Sequence, residues 1–154
     1  MRSTMTFRTI VSLLCLAWSA GCWADVYIIV NRENPLQSMT QREVSDLYLG
    51  RVRSFGESMK ETSWSASIYE QPEDSHLREI FFRCLNGMSI KQLNAYWARL
   101  RFSGEVLPPK ALPDSKAVVE AVKRDRNAIG YVHSSEAPDS VKNDAVKIVL
   151  RLKE

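Results

Sequence analysis

Gln71, Asp74, Ser75, His76 and Arg78 fall close together in the stretch YEQPEDSHLREIFF, residues 69–82. An amide, a hydroxyl, an imidazole and a guanidinium at this spacing are groups that can grip a small oxyanion. A strand-like run enters the stretch and a helix-like run leaves it. At such a junction the first N–H groups of the helix have no intrahelical acceptor and point outward, ready for an anion. Glu73 and Asp74 sit on the same turn and already supply the negative charge that a helix start favours. The residues alone therefore leave two readings open, an anion cradle and a plain capped helix start.

Other chemistry has less to stand on. The chain contains no G-x-S-x-G, no G-x-x-x-x-G-K-[ST] and no G-x-G-x-x-G, the spacings that build a nucleophile elbow, a phosphate loop or a dinucleotide turn. A Ser-His-acid set would have to be assembled by the fold from Ser75, His133 and a distant carboxylate. The two histidines, His76 and His133, are far apart in sequence, and no H-x-x-x-H or C-x-x-C spacing offers a metal its ligands. No metal, no cofactor and no enzymatic activity is called for. Cys84 lies on an apolar helical stripe and reads as a packed thiol. Tyr96 and Trp97 read as core rather than as a ligand platform, with Arg99 and Arg101 beside them on a solvated face.

The chain is 154 residues long, 45% hydrophobic and 25% charged, which is the composition of one soluble domain. Its start departs from that average. Arg2 and Arg8 precede the apolar run TIVSLLCLAWSAGCWA, and Asp25 follows. A basic start, an apolar middle and a small residue at the end are the layout of a secretory signal, here residues 1–24 with a cut after Ala24. The domain is then 25–154 and the protein periplasmic or otherwise exported, with no membrane span after cleavage. Two alternatives stay open: an uncleaved anchor, and a lipoprotein cut at Ser19-Ala20-Gly21-Cys22 that would leave lipid on Cys22. Residues 25–154 carry a formal charge of +1, which points to no polyanionic or nucleic-acid partner. They contain one cysteine, Cys84, so no intramolecular disulfide supports the core.

The elements that must position the junction follow from periodicity. VYIIV at 26–30 predicts a strand buried on both faces, as in a parallel or mixed sheet. Thr40-Gln41-Arg42-Glu43 is a capping box and opens a short helix over 41–49 that stops at Gly50. Residues 51–63 read as a loop and 64–69 as a second strand. Asp74 or Ser75 opens a helix with Leu77, Ile80, Phe81, Cys84 and Leu85 on one stripe, ended by Asn86-Gly87. Ser89 opens another, with Ile90, Leu93, Tyr96, Trp97 and Leu100 inward and Gly104 at its close. VLPPKALPD is an extended connector, since each proline forbids helix around it. Asp114 or Ser115 opens a last helix with Val118, Val119 and Val122 inward, and 128–132 and 146–152 are strands. The order β-α-β-α-α-α-β-β predicts an α/β fold, a mixed sheet flanked by helices.

Four of these stretches carry a family resemblance: IIVNRENPLQSMTQREVSDLYLGR, YEQPEDSHLREIFFRCLNGMS, LNAYWARLRFSG and NAIGYV, at 28–51, 69–89, 93–104 and 127–132. In their order and spacing the chain resembles the small phosphate ABC transporter substrate-binding proteins, of the type 2 periplasmic-binding-protein fold. The resemblance covers the second lobe of that fold only. It implies a solute-binding protein that works in transport, with a small oxyanion such as phosphate as ligand; the groups at the junction make Gln71, Ser75, His76 and Arg78 the expected ligand-binding positions. The family motif R-x-x-x-SGT-x-E-x-F, aligned on Glu79, keeps its serine as Ser75 but has Gln71 for the arginine, His76 for the glycine and Leu77 for the threonine. Those departures give a second expectation. It is a degenerate lobe that binds an envelope protein, or a second copy of itself, without a small ligand.

Overall fold

The run Val26–Asn31 (β1) places Val26, Ile28 and Val30 on one face of a sheet and Ile29 on the other, all fully buried. A strand this apolar on both sides needs a layer of helices on each. The computed structural model describes residues 25–55, 64–104, 106–137 and 145–154; the expected signal segment 1–24, Cys22 and most of the expected loop at 51–63 lie outside them. The remaining elements are α1 (Gln41–Tyr48), β2 (Ser54–Phe55), β3 (Trp64–Ser65), β4 (Ser67–Glu70), α2 (His76–Asn86), α3 (Ile90–Ser103), β5 (Lys110–Ala111), α4 (Ser115–Arg124), β6 (Ala128–His133) and β7 (Val146–Leu152). A 3-10 turn, Ser134–Glu136, follows β6 directly.

The main sheet runs β5-β4-β6-β1-β7. β4 is parallel to both β5 and β6, while β1 is antiparallel to both β6 and β7. The sheet is therefore mixed, as expected. One face packs on α1, α2 and α3 through Ile28, Val30, Ile129 and Tyr131. The other packs on α4 through Ile29, Ala128 and Val132 against Val118, Val119 and Val122. Gly130 sets the spacing on the α4 side: a Cβ there would lie 2.4 Å from Val118 Cγ1. On the opposite face the Phe81 and Tyr131 rings stack at 3.7 Å and 5°, and Tyr48 stands edge-on to both.

The helix boundaries follow local chemistry. Thr40 and Ser89 form complete capping boxes with Glu43 and Gln92, each meeting two of the orphan N–H groups at its helix start. Gly87 and Gly104 close α2 and α3 at positive φ, where a side chain would strain the backbone.

Three expectations are corrected. The single strand expected at 64–69 is two, because the chain changes partners at Ala66. Its N–H donates to Arg53 O, whereas the next N–H, of Ser67, donates to Asn127 O across the main sheet. β3 therefore pairs with β2, inside the expected loop, and β4 joins the main sheet. The proline-rich connector contains β5, two residues pairing with Tyr69 and Glu70 where the backbone is free of proline. Cys84 is only half-buried, because α2 turns its buried side further round than the stripe suggested, taking in Arg78 and Phe82.

Candidate functional site

β4, β5 and β6 are parallel, so their carboxyl ends share one edge of the sheet. Crevices at that edge are where open α/β sheets take ligands. β4 leads through Gln71 and a turn to the start of α2, β5 leads to the start of α4, and β6 leads to His133 and the 3-10 turn. The three connections enclose a cleft of about 960 Å³, walled by Gln71, Ser75 and His76 on one side and Ser115, Lys116, His133 and Glu136 on the other. Its volume is that of a site for a small organic molecule.

The start of α2 is open. Ser75 occupies the N-cap position with extended backbone, yet its side chain makes no capping hydrogen bond. Its N–H donates to Pro72 O at 3.0 Å, and its carbonyl accepts from the N–H groups of Arg78 and Glu79 at 3.1 and 3.3 Å. The hydroxyl of Ser75 and the first N–H groups of the helix, those of His76 and Leu77, are thus left for a partner outside the helix. His76 stands well exposed, with Nδ1 3.7 Å from Glu79.

The start of α4 is occupied by the protein's own groups. Asp114 caps it, Oδ1 accepting from Ala117 N–H at 2.7 Å. The Ser115 hydroxyl donates to Glu136 Oε2 at 2.6 Å and accepts from Gln71 Nε2 at 3.3 Å. The same Nε2 donates to Tyr131 O at 3.1 Å. Because a carbonyl can only accept, this bond fixes the orientation of the Gln71 amide. His133 is oriented likewise: its Nδ1 accepts from Ser135 N–H at 3.1 Å, so the ring proton resides on Nε2. Lys123 Nζ holds Glu120 at 2.7 Å and keeps that carboxyl below its usual range.

Of the four site residues expected from the sequence, Gln71, Ser75 and His76 line the cleft. Arg78 does not. Its guanidinium is buried behind the junction, with Nε donating to the Glu70 carboxylate and the ring of Phe82 5.7 Å below it. Nη1 reaches Glu73 O and Asn94 Oδ1 at 3.5 and 3.4 Å. Burial raises the Glu70 carboxyl, and Arg78 pulls it back down. Arg101 pairs with Glu73 at 3.5 Å, and Arg99 lies over Tyr96. Trp97 is buried in the core, and Tyr96 donates its hydroxyl to Leu49 O. Ser115, Lys116 and Glu136 were not singled out as site residues. The available signal for Ser115 and Lys116 was their place at a helix start after a strand; Glu136 carried none. Among the described residues no group of three His, Cys, Asp or Glu side chains is placed to hold a metal ion, and no helix is long and apolar enough to cross a membrane.

No family model matches the chain, and no curated protein matches it in sequence. Solved structures do match its fold. A protein from Clostridium perfringens described as a phosphate ABC transporter substrate-binding protein, with bound phosphate, is 16% identical with a TM-score of 0.62; the match covers 82% of this chain and 44% of that one. An ABC-type phosphate transport receptor from Vibrio cholerae is 14% identical, with a TM-score of 0.60 over 82% of this chain and 46% of that one. PstS from Borrelia burgdorferi is 12% identical, with a TM-score of 0.62 over 82% and 47%. The chain spans less than half the length of these proteins. It has the mixed α/β fold of one lobe of a phosphate ABC transporter substrate-binding protein.

Proposed function

We propose that this is an exported solute-binding protein, its residues 1–24 a secretory signal, whose cleft holds a small oxyanion such as phosphate at the start of α2. The observation that carries the reading is the uncapped Ser75. A serine at an N-cap normally turns its hydroxyl back onto the helix; here the hydroxyl is left over beside the first N–H groups and faces a cleft. Arg78 acts behind the site rather than on the ligand. Gln71 ties α4 to β6, and Arg78 neutralises Glu70. The role is binding rather than catalysis. Of the Ser-His-acid set that the sequence offered, His133 spends its Nδ1 on the Ser135 N–H rather than on Ser75.

Isothermal titration of residues 25–154 with inorganic phosphate and sulfate tests this. Saturable heat in the parent protein and its loss in Ser75→Arg, with the circular dichroism spectrum unchanged, is the expected pair of results. No heat at millimolar anion, or equal heat in the variant, refutes it.

A second reading has its own observation. Phe102 and Leu107 are 94% and 88% exposed, at and just beyond the end of α3. Large apolar side chains so exposed are common in surfaces that meet another protein. In this reading the lobe is an envelope interaction module, and a lone monomer in light scattering together with no partner recovered on a tagged copy would count against it.

A further inference from the structure

The two sides of the cleft offer opposite chemistry. The α2 side presents donors, the Ser75 hydroxyl and free helix N–H groups. The α4 side presents an acceptor in Glu136, joined through Ser115 to Gln71 of the other wall. Gln71 is 3% exposed and lines the cleft. Both hydrogens of its Nε2 are committed, to Tyr131 O and Ser115 Oγ, and Oε1 has no hydrogen-bond partner among the described residues. Beyond it the Glu136 carboxylate takes the Ser115 hydroxyl on Oε2, and its Oε1 has no hydrogen-bond partner among the described residues. The relay from Gln71 through Ser115 to Glu136 uses up the Gln71 amide hydrogens and the Ser115 hydroxyl, leaving Lys116 and the His133 Nε2–H as the donors on this side.

The charge balance agrees. Asp74, Asp114, Glu120 and Glu136 line the cleft against Lys116 and Lys123, with His76 and His133 also present. Lys123 is spent on Glu120. A bare dianion would enter a net acidic site, and it would leave most of about 960 Å³ unfilled. A molecule that is anionic at one end and carries donors at the other meets a partner at both.

The geometry points to a ligand class narrower than oxyanions: a small organic phosphate or comparable anion bearing an ammonium or hydroxyl group, with Glu136 and Gln71 selecting the donor end. This rests on the anion reading of the α2 side, and the two are separated by the choice of probes.

Ethyl phosphate and phosphoethanolamine share the same anionic group and differ in the ammonium. Titrating both into the parent protein, Ser75→Arg and Glu136→Gln reads each side separately. Phosphoethanolamine should bind the parent about tenfold more tightly than ethyl phosphate, the effect of one hydrogen bond to a charged group. Glu136→Gln should erase that ratio and bind ethyl phosphate at least as tightly as the parent does, since the amide still accepts from Ser115 but no longer repels an anion. Equal affinities in the parent, or a ratio that survives Glu136→Gln, overturns the assignment of the donor end while leaving the anion site standing. Ethyl phosphate affinity unchanged by Ser75→Arg overturns the anion site itself, and no binding of either probe overturns both.

Discussion

Arg78→Met is the most informative single change in the core. Arg78 and Glu70 are 3% and 5% exposed, and Glu70 Oε2 already lacks a hydrogen-bond partner among the described residues. Removing the guanidinium leaves a carboxylate buried with no counter-charge, which costs about 3–5 kcal/mol. At roughly 3–4 °C per kcal/mol for a domain of this size, Tm should fall by about 10–20 °C at pH 7. The sign of the pH dependence follows from the carboxyl. Burial raises it, and Arg78 opposes that rise. A carboxyl whose folded pKa lies above its unfolded one binds its proton more tightly in the folded state. Folded stability therefore decreases as pH rises through the window between the two values. Without Arg78 the rise is larger and the window wider, so Arg78→Met should be hurt most at neutral pH and recover part of the loss toward pH 5. Removing both charges with Glu70→Leu and Arg78→Met together should cost far less than Arg78→Met alone, because no buried charge is then left. Urea melts from pH 5 to 8 on the parent protein and the two variants give the comparison. A loss below about 1 kcal/mol in Arg78→Met, or one that is flat with pH, would falsify the argument that the pair is desolvated.

Other changes probe the packing and the thiol. Gly130→Ala forces a methyl to 2.4 Å from Val118 Cγ1 and should cost about 1–3 kcal/mol through overpacking, measured by chemical denaturation; a neutral result would mean that α4 rides freely on the sheet. Tyr48→Phe removes a buried hydroxyl that donates to Tyr69 O at 2.9 Å and should cost about 1 kcal/mol with the aromatic cluster intact by near-ultraviolet dichroism. Cys84 is half-buried, and burial raises its thiol, against the pull of Arg83. Its maleimide labelling at pH 7 should be slower than that of a free thiol in solution, since the thiolate is the reacting species; equal rates would place the sulfur in open solvent.

The junction at residue 75 was visible in the sequence because its signals are local. A strand-forming run, a polar turn and an amphipathic run fall within a few residues of one another, and Ser75, His76 and Gln71 could be named from them. The capping boxes at Thr40 and Ser89 and the stops at Gly87 and Gly104 were legible for the same reason, as each depends on residues within one turn. The fate of Arg78 was not legible. The stripe of Leu77, Ile80, Phe81, Cys84 and Leu85 put Arg78 at its edge, and only the packing of α2 on the sheet turned that edge inward toward Glu70.

The far wall of the cleft lay further still from local reasoning. Ser115 and Glu136 come from different connections, and they meet Gln71 because three parallel strands end at the same edge. That pairing is settled by long-range backbone hydrogen bonds and by burial of both sheet faces, neither of which leaves a periodic mark in the sequence. What the chain determined by itself was where helices and strands begin and that one strand-to-helix junction gathers a cluster of hydrogen-bonding side chains. What only the tertiary structure decided was that this junction faces a wall carrying Glu136, because the opposing side chains are brought there by the order of the strands and not by their spacing along the chain.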